Sequence, residues 1–244
     1  MHGPSALELL DVWEAAHALP PAQRALTLLT VARPDVSPQA LAQLPIGRRD
    51  AELLELRDRL FGPRIVALAH CPGCAERFEL AFAVAEIQVA SPEDADVLVQ
   101  QDDYIVRLRP ANSVDLMEVQ AGDDPAATER ALIERCTLDA RHGGVPVLAD
   151  ELPDGVAEAI AHAMSTADPQ ADVQMDTVCP ACRHRWDALF DVAAFLWREV
   201  DAWATRTLDE VHALASAYGW TEHEILSLTA SRRRRYVAMI ADAS

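Results

Sequence analysis

The sequence predicts an α+β fold that is mainly helical and contains a small β element. Segments with apolar residues at helical spacing occupy both ends of the chain. Short segments of alternating apolar and polar residues, typical of strands, are few. The same twelve-residue pattern occurs twice, at 71–82 and 179–190, and each copy ends in such an alternating segment. With 244 residues, half of them hydrophobic, the chain can bury one or two cores.

The N-terminal part is predicted to be helical. Apolar residues near the N-terminus recur on one helix face, and a further helix is predicted over 48–61. Gly62 and Pro63 end that helix, because glycine adopts the C′ conformation and proline cannot extend a helix. We therefore predict an N-terminal helical segment over residues 1–64, followed by a short strand that leads into the first copy of the repeated pattern.

The repeated pattern reads CPGCAERFELAF at 71–82 and CPACRHRWDALF at 179–190, 108 positions further on. Both cysteines, the proline, an arginine, an aromatic residue, an acid and the final phenylalanine match one for one. A CPxC turn that runs into a strand forms half of a zinc ribbon. The two copies therefore predict a split ribbon made of residues 65–82 and 174–190.

Zinc is the metal that this pattern indicates. Two CxxC turns supply four thiolates, the number that a tetrahedral zinc site needs, and proline after the first cysteine tightens each turn. A site with four protein ligands has no open coordination position, so we predict one structural Zn²⁺ ion. Its predicted ligands are Cys71, Cys74, Cys179 and Cys182.

Other roles for the cysteines remain open at this point. A CPxC motif can be a dithiol redox centre, although such centres usually lie at a helix start. Disulfides or cysteines without a function are further alternatives, and His70 and His184 lie close enough in sequence to replace a ligand. Cys136 stands alone among apolar residues and is predicted to be a buried thiol.

Residues 83–173 are predicted to form an inserted α/β segment between the two copies. It contains a predicted strand at 104–109 and predicted helices at 125–138 and 154–164. Residues 191–244 are predicted to form a C-terminal helical unit. Asp191 can cap its first helix, Gly219 ends it, and the capping box at 221–224 starts the next one.

The charge of the chain argues against nucleic acid as a partner. All 21 basic residues are arginines, and 39 acids give a formal net charge of −18, which disfavours sequence-independent binding to phosphates. The arginine cluster 232–235 is interpreted as opposing acids on the chain's own surface or on a partner. The N-terminus lacks the pattern of a signal peptide, and no apolar run is long enough to span a membrane. We predict a cytoplasmic protein without a membrane partner.

Signatures of catalysis are missing from the sequence, which contains no GxxxxGK[ST], GxSxG or HExxH motif. We therefore predict that the protein is not an enzyme. Arg48 and Arg49 are predicted partner-binding residues, because positive charge is unfavourable at a helix start. Tyr218 and Trp220 are predicted partner-binding residues because aromatic side chains often anchor interfaces.

Two stretches resemble a known family. The stretch LPIGRRDAELLELR at 44–57, followed by Phe61-Gly62 and the CPGC turn, resembles the baseplate hub assembly proteins of contractile-tailed phages. The stretch YGWTEHEIL at 218–226 is similar to related proteins of prophage tails and contractile injection systems. The resemblance covers about two-thirds of the chain.

The resemblance implies a non-enzymatic structural or assembly protein, a chaperone or adaptor, in the baseplate of a phage-tail-like particle. The implied partners are baseplate, hub, tube or tape-measure proteins, and the implied location is the cytoplasm or a particle assembled there. A second hypothesis is a zinc-ribbon nucleic-acid-binding or transcription adaptor, which the arginine cluster motivates. A third is a thiol oxidoreductase.

Overall fold

A computed structural model describes residues 3–89, 96–119 and 124–242. The described part of the chain alternates helical regions with three small antiparallel sheets, as an α+β fold should. The helices are α1 (Ala6–Ala16), α2 (Pro21–Ala32), α3 (Pro38–Ala42), α4 (Ile46–Phe61), α5 (Val84–Ile87), α6 (Ser113–Glu118), α7 (Pro125–Cys136), α8 (Asp154–Ala167), α9 (Val192–Tyr218), α10 (Glu222–Leu226) and α11 (Ala230–Ala241). The strands are β1 (Arg64–His70), β2 (Arg77–Ala83), β3 (Val97–Gln101), β4 (Tyr104–Leu108), β5 (Thr137–His142), β6 (Val145–Pro146), β7 (Gln174–Val178) and β8 (Arg185–Leu189).

Helix ends follow the capping residues in the sequence. Ser5 and Glu8 form a reciprocal capping box at the start of α1, and the side chain of Asp191 accepts a hydrogen bond from Ala194 N–H at the start of α9. Gly62 ends α4 with a φ of 86°, and Gly219 ends α9 with a φ of 70°. Both values lie in the left-handed region that glycine tolerates.

The largest core joins the two ends of the chain. Side chains of α1, α2 and α4 pack against the first half of α9, together with Ile65 of β1. The predicted N-terminal segment (1–64) and the predicted C-terminal unit (191–244) therefore share one core. A smaller core joins the second half of α9 to α10 and α11, with Leu10 of α1 at its edge. The capping box at Thr221 starts only the five-residue helix α10, and Thr229 caps α11.

The two copies of the cysteine pattern form two β-hairpins. β1 pairs with β2 and β7 pairs with β8, both antiparallel, and the CPxC turn connects the strands in each case. Phe78 contacts Trp186 edge to face at 6.1 Å, and Phe82 contacts Phe190 in the same way at 5.3 Å. The hairpins therefore pack on each other through equivalent aromatic positions, with their turns at the same end.

The inserted segment has a core of its own. Strands β3 to β6 form an antiparallel sheet in sequential order, and α7 and α8 contribute buried side chains to the same core. Residues 90–95 and 120–123 of the predicted 83–173 segment lie outside the described residues. In the described part, Val89 N–H donates to the side chain of Gln170 at 2.7 Å, which attaches the start of the segment to its end.

Three predicted boundaries in this segment are wrong, and one of them is the end of the helix predicted over 154–164, which continues to Ala167. The helix predicted over 125–138 ends at Cys136, since Thr137–His142 pairs with β4 as strand β5. The strand predicted over 104–109 ends at Leu108, where the pairing with β5 becomes irregular. The sequence predicts one strand in this segment, whereas its described residues form four. The other strands are short or polar, such as β5, and they form because a neighbouring strand is available to pair with.

The described helices include none that combines the length and the apolar character needed to cross a membrane.

Candidate metal centre

The first CPxC turn is held by its own backbone. Cys71 N–H donates to Glu76 C=O at 2.9 Å, and Ala75 N–H donates back to Cys71 C=O at 2.9 Å. Ala75 has a φ of 60°, in the left-handed region. Gly73 N–H points at Cys71 Sγ at 3.3 Å. The turn thus closes on itself and directs a backbone donor at a sulfur.

The second turn repeats this geometry. Cys179 N–H donates to His184 C=O at 2.9 Å, and Arg183 N–H donates to Cys179 C=O at 3.1 Å. Arg183 has a φ of 63°, at the position equivalent to Ala75. A non-glycine residue in this conformation is uncommon, so its recurrence at equivalent positions shows that both turns have the same backbone geometry.

The four sulfurs of the two turns converge on one point. All four Sγ atoms lie within 4.8 Å of one another, with Cys71 and Cys182 3.6 Å apart and Cys74 and Cys179 3.7 Å apart. A regular tetrahedron with Zn–S bonds of about 2.3 Å has edges of about 3.8 Å. The arrangement is therefore compatible with a structural metal site, and it brings together all four cysteines that the sequence predicted as ligands.

The protonation of the cluster also depends on the backbone. Hydrogen bonds from backbone N–H groups, that of Cys182 first, lower the pKa of the Cys179 thiol to about 7. Glu76 N–H favours the Cys74 thiolate too, but the neighbouring sulfurs outweigh it and raise the pKa of Cys74 to about 12. Four thiolates so close together repel one another. A divalent cation removes that repulsion, and a coordinating thiol is deprotonated outright.

The alternative roles of the cysteines have less support. The close sulfur contacts join one turn to the other, and both turns connect strands rather than begin helices. A dithiol redox centre would instead need the pair within one CxxC motif near a helix start. In the described part of the chain, the four cysteines are the one group of three or more candidate ligands this close together, so neither His70 nor His184 belongs to it.

The fifth cysteine is a buried thiol, as its apolar sequence context suggests. Cys136 is fully buried at the end of α7, and its Sγ lies 4.0 Å from an oxygen of Asp115. Burial is the main reason that the pKa of this thiol rises to about 11. Cys136 lies outside the group of four converging sulfurs, and a protonated, enclosed thiol is inert.

The predicted partner-binding residues differ in their surroundings. Arg48 is exposed, whereas Arg49 is buried and donates to Asp50 at 2.7 Å and to Ser113 at 3.4 Å. The prediction that Arg49 binds a partner is therefore wrong, because its side chain forms contacts within the fold. Tyr218 is exposed and Trp220 half-buried, and their rings stack at 4.8 Å. Tyr236 also contacts both rings. It is not among the predicted partner-binding residues, although its place beside four consecutive arginines was a usable signal.

The fold and the site define an α+β protein in which two hairpins present four thiols to one point. The model of a family described as T4 bacteriophage base plate protein matches residues 24–197. This span covers most of the chain, including both CPxC turns, and the chain belongs to this family. Comparisons with curated proteins and with solved structures found no match. The resemblance to baseplate proteins is confirmed, and the hub-assembly type stays a prediction.

Proposed function

We propose that this protein is a non-enzymatic, zinc-stabilised structural or assembly protein of a phage-tail-like baseplate. The observation that carries the proposal is the convergence of four thiols from two turns 108 positions apart, in a chain of the baseplate family. A closed four-thiolate site favours a structural ion, because no coordination position is left for a substrate.

Zinc suits the donor set better than other common divalent ions. Soft thiolates select zinc or iron–sulfur chemistry, whereas magnesium and calcium prefer oxygen ligands. The sulfur spacings near 3.7 Å fit a single tetrahedral ion. One Zn²⁺ would join Cys71 and Cys74 to Cys179 and Cys182, and so fix the two hairpins to each other at their turns.

Metal analysis of the purified protein tests this step. We expect about one zinc per chain, and almost none in the double variant C74S/C182S, which keeps the two buried cysteines of the cluster but removes one ligand from each turn. Cys136→Ala is the matched control, since it removes a thiol outside the cluster and should leave the zinc content unchanged. Full zinc occupancy in C74S/C182S would refute the assignment.

The assembly role is tested separately, in cells that produce the whole particle. We expect the tagged protein to purify with baseplate or tail components, either in finished particles or in assembly intermediates. The exposed Arg48 and the Tyr218–Trp220 pair are the proposed docking residues, and we expect R48E or W220A to weaken this association without releasing zinc. A protein that never associates with particle components would contradict the role.

A further inference from the structure

The C-terminal end of the molecule has a cluster of three aromatic rings at its surface. Tyr218 and Trp220 stack at 4.8 Å, and Tyr236 of α11 meets the Trp220 ring edge to face at 5.1 Å. Tyr218 is 40% exposed. The cluster lies beyond the span that matches the baseplate family model, which ends at residue 197.

Helix α11 places positive charge beside this cluster. The helix contains four consecutive arginines and no acid, in a chain with a formal net charge of −18. Arg233 is used internally: it is buried, and it donates to Glu210 at 2.9 Å and to Leu228 C=O at 2.8 Å. Its three neighbours, Arg232, Arg234 and Arg235, are exposed and form no ion pair with the described residues.

Two of these arginines share a helix face with the aromatic cluster. Positions 232, 235, 236 and 239 are related by steps of three and four residues, so they lie side by side on an α-helix. Met239 at the end of this row is 49% exposed. Arg234 lies outside this row, about 100° around the helix from Arg235. The basic aromatic surface consists of Tyr218, Trp220, Arg232, Arg235, Tyr236 and Met239.

The composition of this surface is that of an interface centre. Tyrosine, tryptophan and arginine are the residues that most often dominate binding energy. The two phenol hydroxyls and the indole N–H form no hydrogen bond to the described residues, so they are available to a partner. Positive charges near the start of α11 are also unfavourable to the helix dipole, and carboxylates from a partner would offset this.

We propose that the basic aromatic surface binds an acidic segment of another protein of the tail-like particle. Arginine forms bidentate contacts with carboxylates, while the aromatic rings and Met239 supply apolar contact area. The identity of the partner as a particle protein rests on the proposed function. The inference that the bound segment is acidic rests on the exposed arginines alone.

Site-specific cross-linking in cells that assemble the whole particle tests the proposal. A photoreactive benzoylphenylalanine replaces Met239, and the cross-linked peptide is identified by mass spectrometry. We expect a stretch rich in Asp and Glu from a baseplate or tail protein. R235E should lower the yield about tenfold, as an attractive charge contact becomes repulsive. R234E makes the same charge change outside the row of 232, 235, 236 and 239, and it should leave the yield near that of the wild type.

Several outcomes would overturn the proposal. One is an equal loss of cross-linking yield in R235E and R234E. Another is a cross-link to nucleic acid, to a second copy of this chain or to a segment without acids. The third is the absence of any cross-link. Thermal melts confirm that the variants are folded, and R235Q replaces R235E if the latter is not. If the wild-type chain purifies with particle components while R235E and R234E behave alike, this inference fails and the proposed function stands.

Discussion

At the scale of single residues, Gly47 shows how closely α4 approaches the inserted segment. Its N–H donates to a carboxylate oxygen of Asp168 at 2.8 Å, 121 positions away in sequence. A Cβ at this position would overlap that carboxylate, lying 2.7 Å from its Cγ and 3.0 Å from the backbone nitrogen of Ala171. The glycine is therefore required by close contact rather than by its backbone conformation.

We predict that Gly47→Ala destabilises the protein by about 1–3 kcal/mol, since a buried carboxylate must move to admit the methyl group. Urea unfolding followed by circular dichroism measures this as a lower midpoint. Gly155→Ala is the control, because its Cβ would meet only the side chain of Gln101 at 3.6 Å. Equal stability of the two variants would contradict the packing argument.

Residue identity alone predicts the cysteine cluster well and the buried charges poorly. The four ligands could be predicted because the same pattern occurs twice, and a tetrahedral metal needs both copies. Arg49 was misassigned, since its positive charge at a helix start predicted docking, whereas its side chain is buried within the fold. Its partner Ser113 lies 64 positions away, and nothing in the sequence identifies such a contact.

At the scale of elements, α4 is the helix that connects the parts of the fold. Its buried residues include Gly47, Arg49, Asp50 and Arg57, all within the stretch that resembles the baseplate proteins. Burial is the main reason that the pKa of Asp50 is raised, although Arg49 partly offsets it. Arg49, Asp50 and Arg57 therefore serve the interior of the molecule, whereas Arg48 and Glu55 of the same stretch face solvent.

Arg57 links α4 to α9. Its guanidinium donates twice to Glu199, at 2.8 Å in each case, and also to the backbone carbonyls of Gly62 and Arg64. The Arg57 side chain is 4% exposed. One side chain thus satisfies the end of α4, the start of β1 and a carboxylate of the long helix.

We predict that Arg57→Met costs about 3–5 kcal/mol, since it leaves a partly buried carboxylate and two carbonyls without their donor. Chemical denaturation gives the value directly. Arg59→Met, on the same helix, changes an exposed pair with Glu55 and should cost well under about 1 kcal/mol. Comparable losses in both variants would show that Arg57 is not the link described above.

Element boundaries were predictable where a cap or a glycine marks them. The starts of α9 and α10 and the ends of α4 and α9 agree with Asp191, Thr221, Gly62 and Gly219. The four-stranded sheet was not predictable, because each strand is short. Such strands are stabilised by pairing with their neighbours, and their own sequences carry only a weak strand signal. Thr137–His142 becomes a strand directly after a helix without an intervening turn, and helical periodicity extends into it.

At the scale of the whole molecule, a metal ion bound by the cysteine cluster would close a large ring of chain. Its two turns flank the inserted segment, which has its own core, while the helices outside the ring pack into a shared one. A metal at the cluster would constrain the unfolded chain across that ring, in the way that a disulfide does.

We predict that removing the metal with a strong chelator lowers the stability by about 3–5 kcal/mol, as expected for opening a ring of roughly 100 residues and losing a bound ion. Differential scanning calorimetry should show a lower melting temperature that added Zn²⁺ restores and Mg²⁺ does not. C74S/C182S should melt at the same temperature with and without chelator. A wild-type protein indifferent to the chelator would exclude a structural ion.

The ring also has a consequence for how this architecture can vary. The entropic cost of closing a loop grows only slowly with its length, by about 0.6 kcal/mol per doubling. β2 and β7 belong to the paired hairpins and hold the two ends of the inserted segment. Residues can therefore be gained or lost at the surface turns of that segment at little cost to the stability of the paired hairpins. Related chains can therefore carry inserts of very different size on the same pair of hairpins.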